Sequence, residues 1–197
     1  MHKTNRFFLE YLKRKYPNYC SGDISVIEFG SLNINGSIRE YLTPVKKYIG
    51  IDWRPGPDVD LVSLAHNVNL DKKFDVVVSA SCLEHDPHWE KTLESMERHL
   101  KTDGILYLSW SAAYGVSHCC ETAPDNKFHA PKVELVFNKL KELNIQVHEF
   151  YYECDLYPKE CCRHQDGRGE VQLVAFKDLG CARGISIINN LLPKDRI

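Results

Sequence analysis

Phe74, Val76, Val77 and Val78 form a short, nearly unbroken β-branched and aromatic run, the pattern of a strand buried on both faces of a parallel sheet. Polar residues take over abruptly from Ser79 to His85, and Asp86-Pro87 then offers a helix cap followed by a ring suited to a first helical turn. Trp89, Leu93, Met96 and Leu100 recur at spacings of four, three and four, one apolar stripe on an otherwise charged helix. The unit is a central strand, a polar loop and a helix. In an open α/β sheet ligands bind beside such loops, at the carboxyl ends of the strands, so the working face is expected at residues 79–88.

The same switching of period continues on either side. Phe7, Phe8, Tyr11 and Leu12 mark an N-terminal helix that Pro17 stops, so residues 1–20 form a first element. A strand over 24–29 ends in Glu28-Phe29-Gly30 and a polar turn, after which Ile38, Tyr41, Leu42 and Val45 repeat at helical spacing. A second strand spans 47–52 with Asp52 at its tip, and a third, shorter one spans 59–64. Beyond the central unit, Asp103-Gly104 breaks the chain before a strand at 105–110, and a long polar loop covers 111–130. Loops of that length inside compact domains are usually functional or disordered. Pro131 opens a helix carrying Val133, Val136, Phe137, Leu140 and Leu143, followed by strands at 145–152 and 170–176 and a segment at 185–192 without an assigned role. The elements predict one α/β domain over residues 1–197, with a seven-stranded, mostly parallel sheet and helices on both faces.

Composition narrows this picture little. At 197 residues, 43% hydrophobic and 26% charged, the chain is long enough for one core. A net charge of -2 gives no general attraction to phosphate backbones, although Lys3, Arg6, Lys13, Arg14 and Lys15 make the first helix locally basic. Nucleic acid is not the expected partner. No run approaches the roughly 20 apolar residues that span a bilayer, so a soluble, cytoplasmic protein is expected. Among the eight cysteines, Cys119, Cys120, Cys154, Cys161, Cys162 and Cys181 fall in the C-terminal half without C-x-x-C spacing. Neither disulfides nor a metal site is expected, even with His118 and His164 nearby.

The strand tips suggest where chemistry sits. Gly30 after the first strand lets a ligand approach the backbone, and Gly36-Ser37 at an expected helix start offers N–H groups. An acid about 20 residues on, Asp52, is placed to take both hydroxyls of a ribose. A nucleoside-containing cofactor is expected.

The ordered set Glu28-x-Gly30, Gly50-Ile51-Asp52, Phe74-Asp75-Val76-Val77, Leu83-Glu84-His85 and Asp103-Gly104-Ile105-Leu106 resembles the class I S-adenosylmethionine-dependent methyltransferases, of the type 11-like kind. The likeness runs from about residue 24 to 110 and more weakly to 176. It implies a Rossmann-like α/β/α sandwich and S-adenosyl-L-methionine as cofactor. Glu28 and Gly30 would border its methionine part, Asp52 would hold its ribose hydroxyls, His66 and Asn67 would meet its adenine, Ser79, Ala80 and Ser81 would line its inner edge, and Ser31, Asn33, Gly36, Ser37 and Trp53 would complete the cofactor-binding set. Leu32 and Ile34 stand where such families continue a glycine repeat, so the first turn must differ in shape. His85, with His118 in the loop after the fifth strand, looks like a histidine pair of one subgroup, and either would serve as base toward the acceptor. The acceptor expected is a hydroxyl on a sugar or other small polar molecule, with Trp110, Tyr114 and Phe128 available to stack on a ring. The alternatives are methylation of RNA or protein docked on the basic first helix, a non-catalytic cofactor-binding protein, a non-enzymatic binding module using the Cys/His region as a metal knot, and a nicotinamide-dependent oxidoreductase. The absence of G-x-G-x-x-G opposes the last.

Overall fold

The computed structural model describes residues 3–111, 124–125, 127, 129–152, 170–177 and 186–187. Helix α1 (Lys3–Lys15) leads into strands β1 (Gly22–Phe29), β2 (Val45–Asp52), β3 (Leu61–Val62) and β4 (Phe74–Ala80). Helix α2 (Trp89–His99), strand β5 (Leu100–Ser111), helix α3 (Val133–Glu142) and strands β6 (Ile145–Tyr152), β7 (Glu170–Lys177) and β8 (Ser186–Ile187) follow. The sheet runs β3-β2-β1-β4-β5-β7-β6-β8. The first five strands in that order are parallel, whereas β7 lies between β5 and β6 and is antiparallel to both. This is the expected Rossmann-like, mostly parallel sheet, and the two-residue β8 adds an eighth strand beside β6.

Two cores sandwich the sheet. Leu93 and Met96 of α2 and Val136 and Leu140 of α3 meet Ile27, Val77 and Leu106 on one face. Phe8, Leu9 and Leu12 of α1 meet Val26, Val76, Val78 and Tyr107 on the other. Full burial of each such side chain contributes roughly 1.5–3 kcal/mol, which is what keeps α1 on the sheet despite its charged outer face. Lys15 of α1 also pairs with Glu149 on β6, and Tyr16 donates to the same carboxylate at 2.8 Å.

Four expectations need correction. Between β1 and β2 the chain forms only a 3₁₀ turn, Ile38–Glu40, not an α-helix. Pro44 ends the segment before a helix of useful length can nucleate, yet Ile38 and Leu42 are still buried against α1's core. Helix α2 starts at Trp89, because Asp86 precedes a proline and stays extended at φ -107°, ψ 111°. Asp86 nonetheless supports the helix start, accepting from the His88 N–H at 2.8 Å and from the Thr92 hydroxyl at 2.5 Å. Strand β3 is two residues rather than six. Finally, Asp103-Gly104 does not break the chain: β5 begins at Leu100 and the dipeptide lies in an irregularity where pairing jumps from Phe74↔Leu100 to Val76↔Ile105.

Candidate active site

At β1 the sheet grows outward in both directions, toward β2 and toward β4, which opens a crevice at the strands' carboxyl ends. A cavity of about 260 Å³ lies there, between Gly30 after β1, Asp52 at the tip of β2 and Ala80 at the tip of β4. The backbone turns sharply off β1: the N–H groups of Gly30 and Ser31 both donate to the Ile51 carbonyl, at 2.8 and 2.9 Å. Gly30 has φ +81°, and a Cβ there would stand 2.6 Å from Cβ of Cys82. Only glycine fits. Beside it the buried hydroxyl of Ser31 has no hydrogen-bond partner.

Two acids face the cavity from this side. Glu28 is 4% exposed and accepts from the Tyr48 hydroxyl at 2.6 Å. Burial pushes its carboxyl up to about 7, against the lowering effect of that hydrogen bond and of the Arg39 charge. Asp52 accepts from the Arg54 N–H at 3.0 Å and more distantly from Leu32 at 3.4 Å, so it also organises the loops on both sides. Its carboxyl too is raised by burial, partly offset by those N–H groups. His66 sits at the far end with its ring 4.7 Å from that of His88 and its Nδ1 3.9 Å from Asp86. Burial lowers its pKa more than Asp86 raises it.

The inner end of the cavity is polar. Asn5 of α1, Ser81 and Glu84 line it, and behind them Ser109, Gln172 and Glu170 form a buried network. Asn5 Nδ2 donates to Ser81 Oγ at 3.4 Å, and Asn5 Oδ1 accepts from Ser109 at 2.8 Å and from Gln172. Ser109 Oγ also lies 2.8 Å from Glu170, so its one proton is shared between that carboxylate and Asn5 Oδ1, and Glu170 accepts from Ser81 at 3.3 Å. Glu84 is 1% exposed, and neither of its carboxylate oxygens makes a hydrogen bond of regular geometry. Burial and then the Glu170 charge hold it well above the usual carboxylate range, with the N–H groups of Glu84 and Ser111 offsetting only part.

Ten of the residues singled out in the sequence line this cavity: Glu28, Gly30, Ser31, Gly36, Asp52, Trp53, His66, Ala80, Ser81 and His85. Asn33, Ser37, Asn67 and Ser79 do not. Asn33 builds the turn, accepting from Gly36 N–H at 2.9 Å and donating to Asp58 at 3.0 Å. That bond also occupies the Gly36 N–H expected to meet a ligand. Ser37 accepts from Arg39 N–H as a cap at 3.2 Å, Asn67 is exposed, and Ser79 is fully buried with its hydroxyl on the Phe29 carbonyl at 2.8 Å. Trp110 is unavailable for stacking: it is buried in the core and donates to Pro131 O at 3.0 Å. His118, Tyr114, Phe128, His164 and the cysteines from Cys119 onward lie outside the described residues. The sequence reading missed Asn5, and it placed Cys82 and Glu84 on the working face without giving either a role. Asn5 carried a signal, since it precedes Phe8, Leu9 and Leu12 at helical spacing and so places an amide on the buried stripe.

Comparison with known proteins decides the family. A family model described as a methyltransferase domain matches residues 4–154. The chain belongs to that methyltransferase family. No curated protein matches it. Among solved structures it is similar to BH2331 from Bacillus halodurans, at 17% identity and a TM-score of 0.62 over 85% of this chain and 97% of that one. It is also similar to the 1,6-didemethyltoxoflavin-N1-methyltransferase of Burkholderia thailandensis, at 13% identity and a TM-score of 0.63 over 89% and 79%. The N-methyltransferase NodS of Bradyrhizobium japonicum gives 18% identity and a TM-score of 0.59 over 88% and 87%. The latter two were crystallised with S-adenosylhomocysteine. At these identities the structures speak for the fold.

S-adenosylmethionine is the cofactor of this methyltransferase, and the residues present suit it. The close approach of backbone at Gly30, the partnerless Ser31 hydroxyl and the half-buried Asp52 carboxylate make a cradle for an extended, hydroxyl-bearing ligand. No group of three or more His, Cys, Asp and Glu that could hold a metal ion occurs among the described residues.

Proposed function

We propose that this methyltransferase acts on a small polar acceptor that enters at the Asn5, Ser81 and Glu84 end of the cavity, with an oxygen or nitrogen lone pair as nucleophile. The observation that carries the reading is the division of the cavity's wall: Gly30 and Asp52 at one side, and a polar, hydrogen-bonded end at the other. When bound, S-adenosylmethionine supplies a methyl group already activated on a sulfonium. The protein's work is therefore alignment and exclusion of water. In this reading Asp52 holds the ribose hydroxyls, Trp53 and His66 flank the nucleoside, and Glu28 and Gly30 border the amino-acid part. Asn5 and Ser81, tied to each other and to β5 and β7, orient the acceptor, and His85 or Glu84 stands ready to take its proton.

A hydroxyl of a sugar belongs to this class of acceptor, but the rings expected to stack on it give it no support from the described residues. A macromolecular acceptor is less favoured, because the basic first helix is partly engaged in its own fold: Lys15 is paired with Glu149 and Arg6 reaches the Asn35 carbonyl at 3.4 Å. A cytoplasmic setting accords with the free thiols of Cys20 and Cys82, the described cysteines. No described helix is long and apolar enough to cross a membrane. Calorimetry with S-adenosylhomocysteine, followed by a screen of small acceptors with methyl-labelled cofactor, tests the reading. Micromolar binding and label on a small molecule are expected, and absence of S-adenosylhomocysteine binding by the folded protein would sink it.

A further inference from the structure

Glu84 and Glu170 pose a physical problem. Both are almost fully buried, at 1% and 6% exposure, and the charge that acts on Glu84 is the like charge of Glu170. No basic side chain among the described residues pairs with Glu84, and its two oxygens make no hydrogen bond of regular geometry, the N–H groups of Glu84 and Ser111 offsetting only part of its burial. A buried carboxyl in that state costs free energy unless a donor or a cation comes to it. The polar groups beside it are bonded among themselves and none of these bonds reaches Glu84: Asn5 Nδ2 donates to Ser81 Oγ at 3.4 Å, Ser81 Oγ donates to Glu170 at 3.3 Å, and Ser109 Oγ lies 2.8 Å from both Asn5 Oδ1 and Glu170. Apolar side chains of similar size would fill this space at lower cost if it served folding alone.

We infer that Glu84, backed by Glu170 and Ser81, forms a subsite for an amine, and that the acceptor of this methyltransferase is a small amine rather than an alcohol. The inference rests on the proposed function above and narrows it. An amine brings to Glu84 the N–H donors and positive charge that no described side chain gives it, whereas a sugar hydroxyl supplies a weaker donor and no charge. Glu84 also accounts for the proton. An ammonium has no lone pair, so one N–H proton passes to the Glu84 carboxylate. The freed lone pair then forms the N–C bond as the S–C bond breaks with its electrons left on sulfur.

Sinefungin, a cofactor analogue with an amine where the methyl-bearing sulfonium would be, probes this subsite without turnover. By calorimetry, wild-type protein is expected to bind sinefungin about tenfold or more tightly than S-adenosylhomocysteine, as a charged hydrogen bond implies. Glu84→Gln, an isosteric change that removes a buried charge, should bring that ratio close to one while leaving S-adenosylhomocysteine affinity within about threefold; a melting curve checks its fold. A ratio that Glu84→Gln leaves unchanged overturns the inference. An equal fall in the preference for S-adenosylmethionine over S-adenosylhomocysteine also overturns it, because Glu84 would then be reading the sulfonium. Loss of S-adenosylhomocysteine binding by wild type would instead strike the proposed function, so the two failures are distinct.

Discussion

Glu28→Gln tests whether a residue proposed to border the cofactor is held at the expense of the fold. Glu28 is buried at the tip of β1, and that burial pushes its carboxyl up to about 7 from the ordinary 4.5. A raised carboxyl means that the folded protein binds the proton more tightly than the unfolded chain does. Stability from this residue is thus complete below about pH 4.5, declines as pH rises, and is lost above about pH 7. At 1.36 kcal/mol per unit the displacement corresponds to about 3 kcal/mol at pH 8. Glutamine keeps the size and can still accept from the Tyr48 hydroxyl, which now stands 2.6 Å from Glu28, but it never ionises. Urea unfolding of both proteins from pH 4.5 to 8.5 should show a stability difference that grows toward high pH in favour of the variant, by up to about 3 kcal/mol. S-adenosylhomocysteine affinity should fall in the same variant at pH 8. A difference between the two proteins that does not change with pH would refute the reasoning, since Glu28 would then titrate as an ordinary carboxylate.

Asp52→Ala should weaken S-adenosylhomocysteine by about 1–3 kcal/mol in calorimetry through loss of a charged acceptor, and unchanged affinity would remove Asp52 from the site. Gly30→Ala should cost at least about 1–2 kcal/mol of stability from its positive φ alone, before the contact with Cys82 is counted, and should also reduce cofactor affinity; denaturant melts and calorimetry read both. Ser79→Ala should lower stability by roughly 1–3 kcal/mol by leaving the Phe29 carbonyl without its 2.8 Å donor. It should spare S-adenosylhomocysteine affinity, and a large loss of affinity would return Ser79 to the cavity wall.

What the sequence determined by itself is local and periodic. The run from Phe74 to Val78, the stripe of Leu93 and Met96, and the placement of Gly30 and Asp52 at strand ends each depend on neighbours within a few residues, so pattern alone locates them. Tertiary structure decided what depends on distant partners. Strand β7 enters between β5 and β6 because pairing across the sheet, not chain order, sets neighbours. The segment with Ile38 and Leu42 has helical spacing but becomes a 3₁₀ turn, since α1 already covers that face and Pro44 ends it early. Ser79 and Ser81 differ by two residues and read alike in the sequence. Yet the strand buries Ser79 on the Phe29 carbonyl, whereas Ser81, at φ +52°, turns off the strand tip into the cavity wall. Asn5 and Glu170 are 165 residues apart and share a serine, Ser109, only because α1 and β7 both close over the end of β5. Periodicity records which face of an element is buried; which polar groups meet there is settled by packing between elements far apart in the chain.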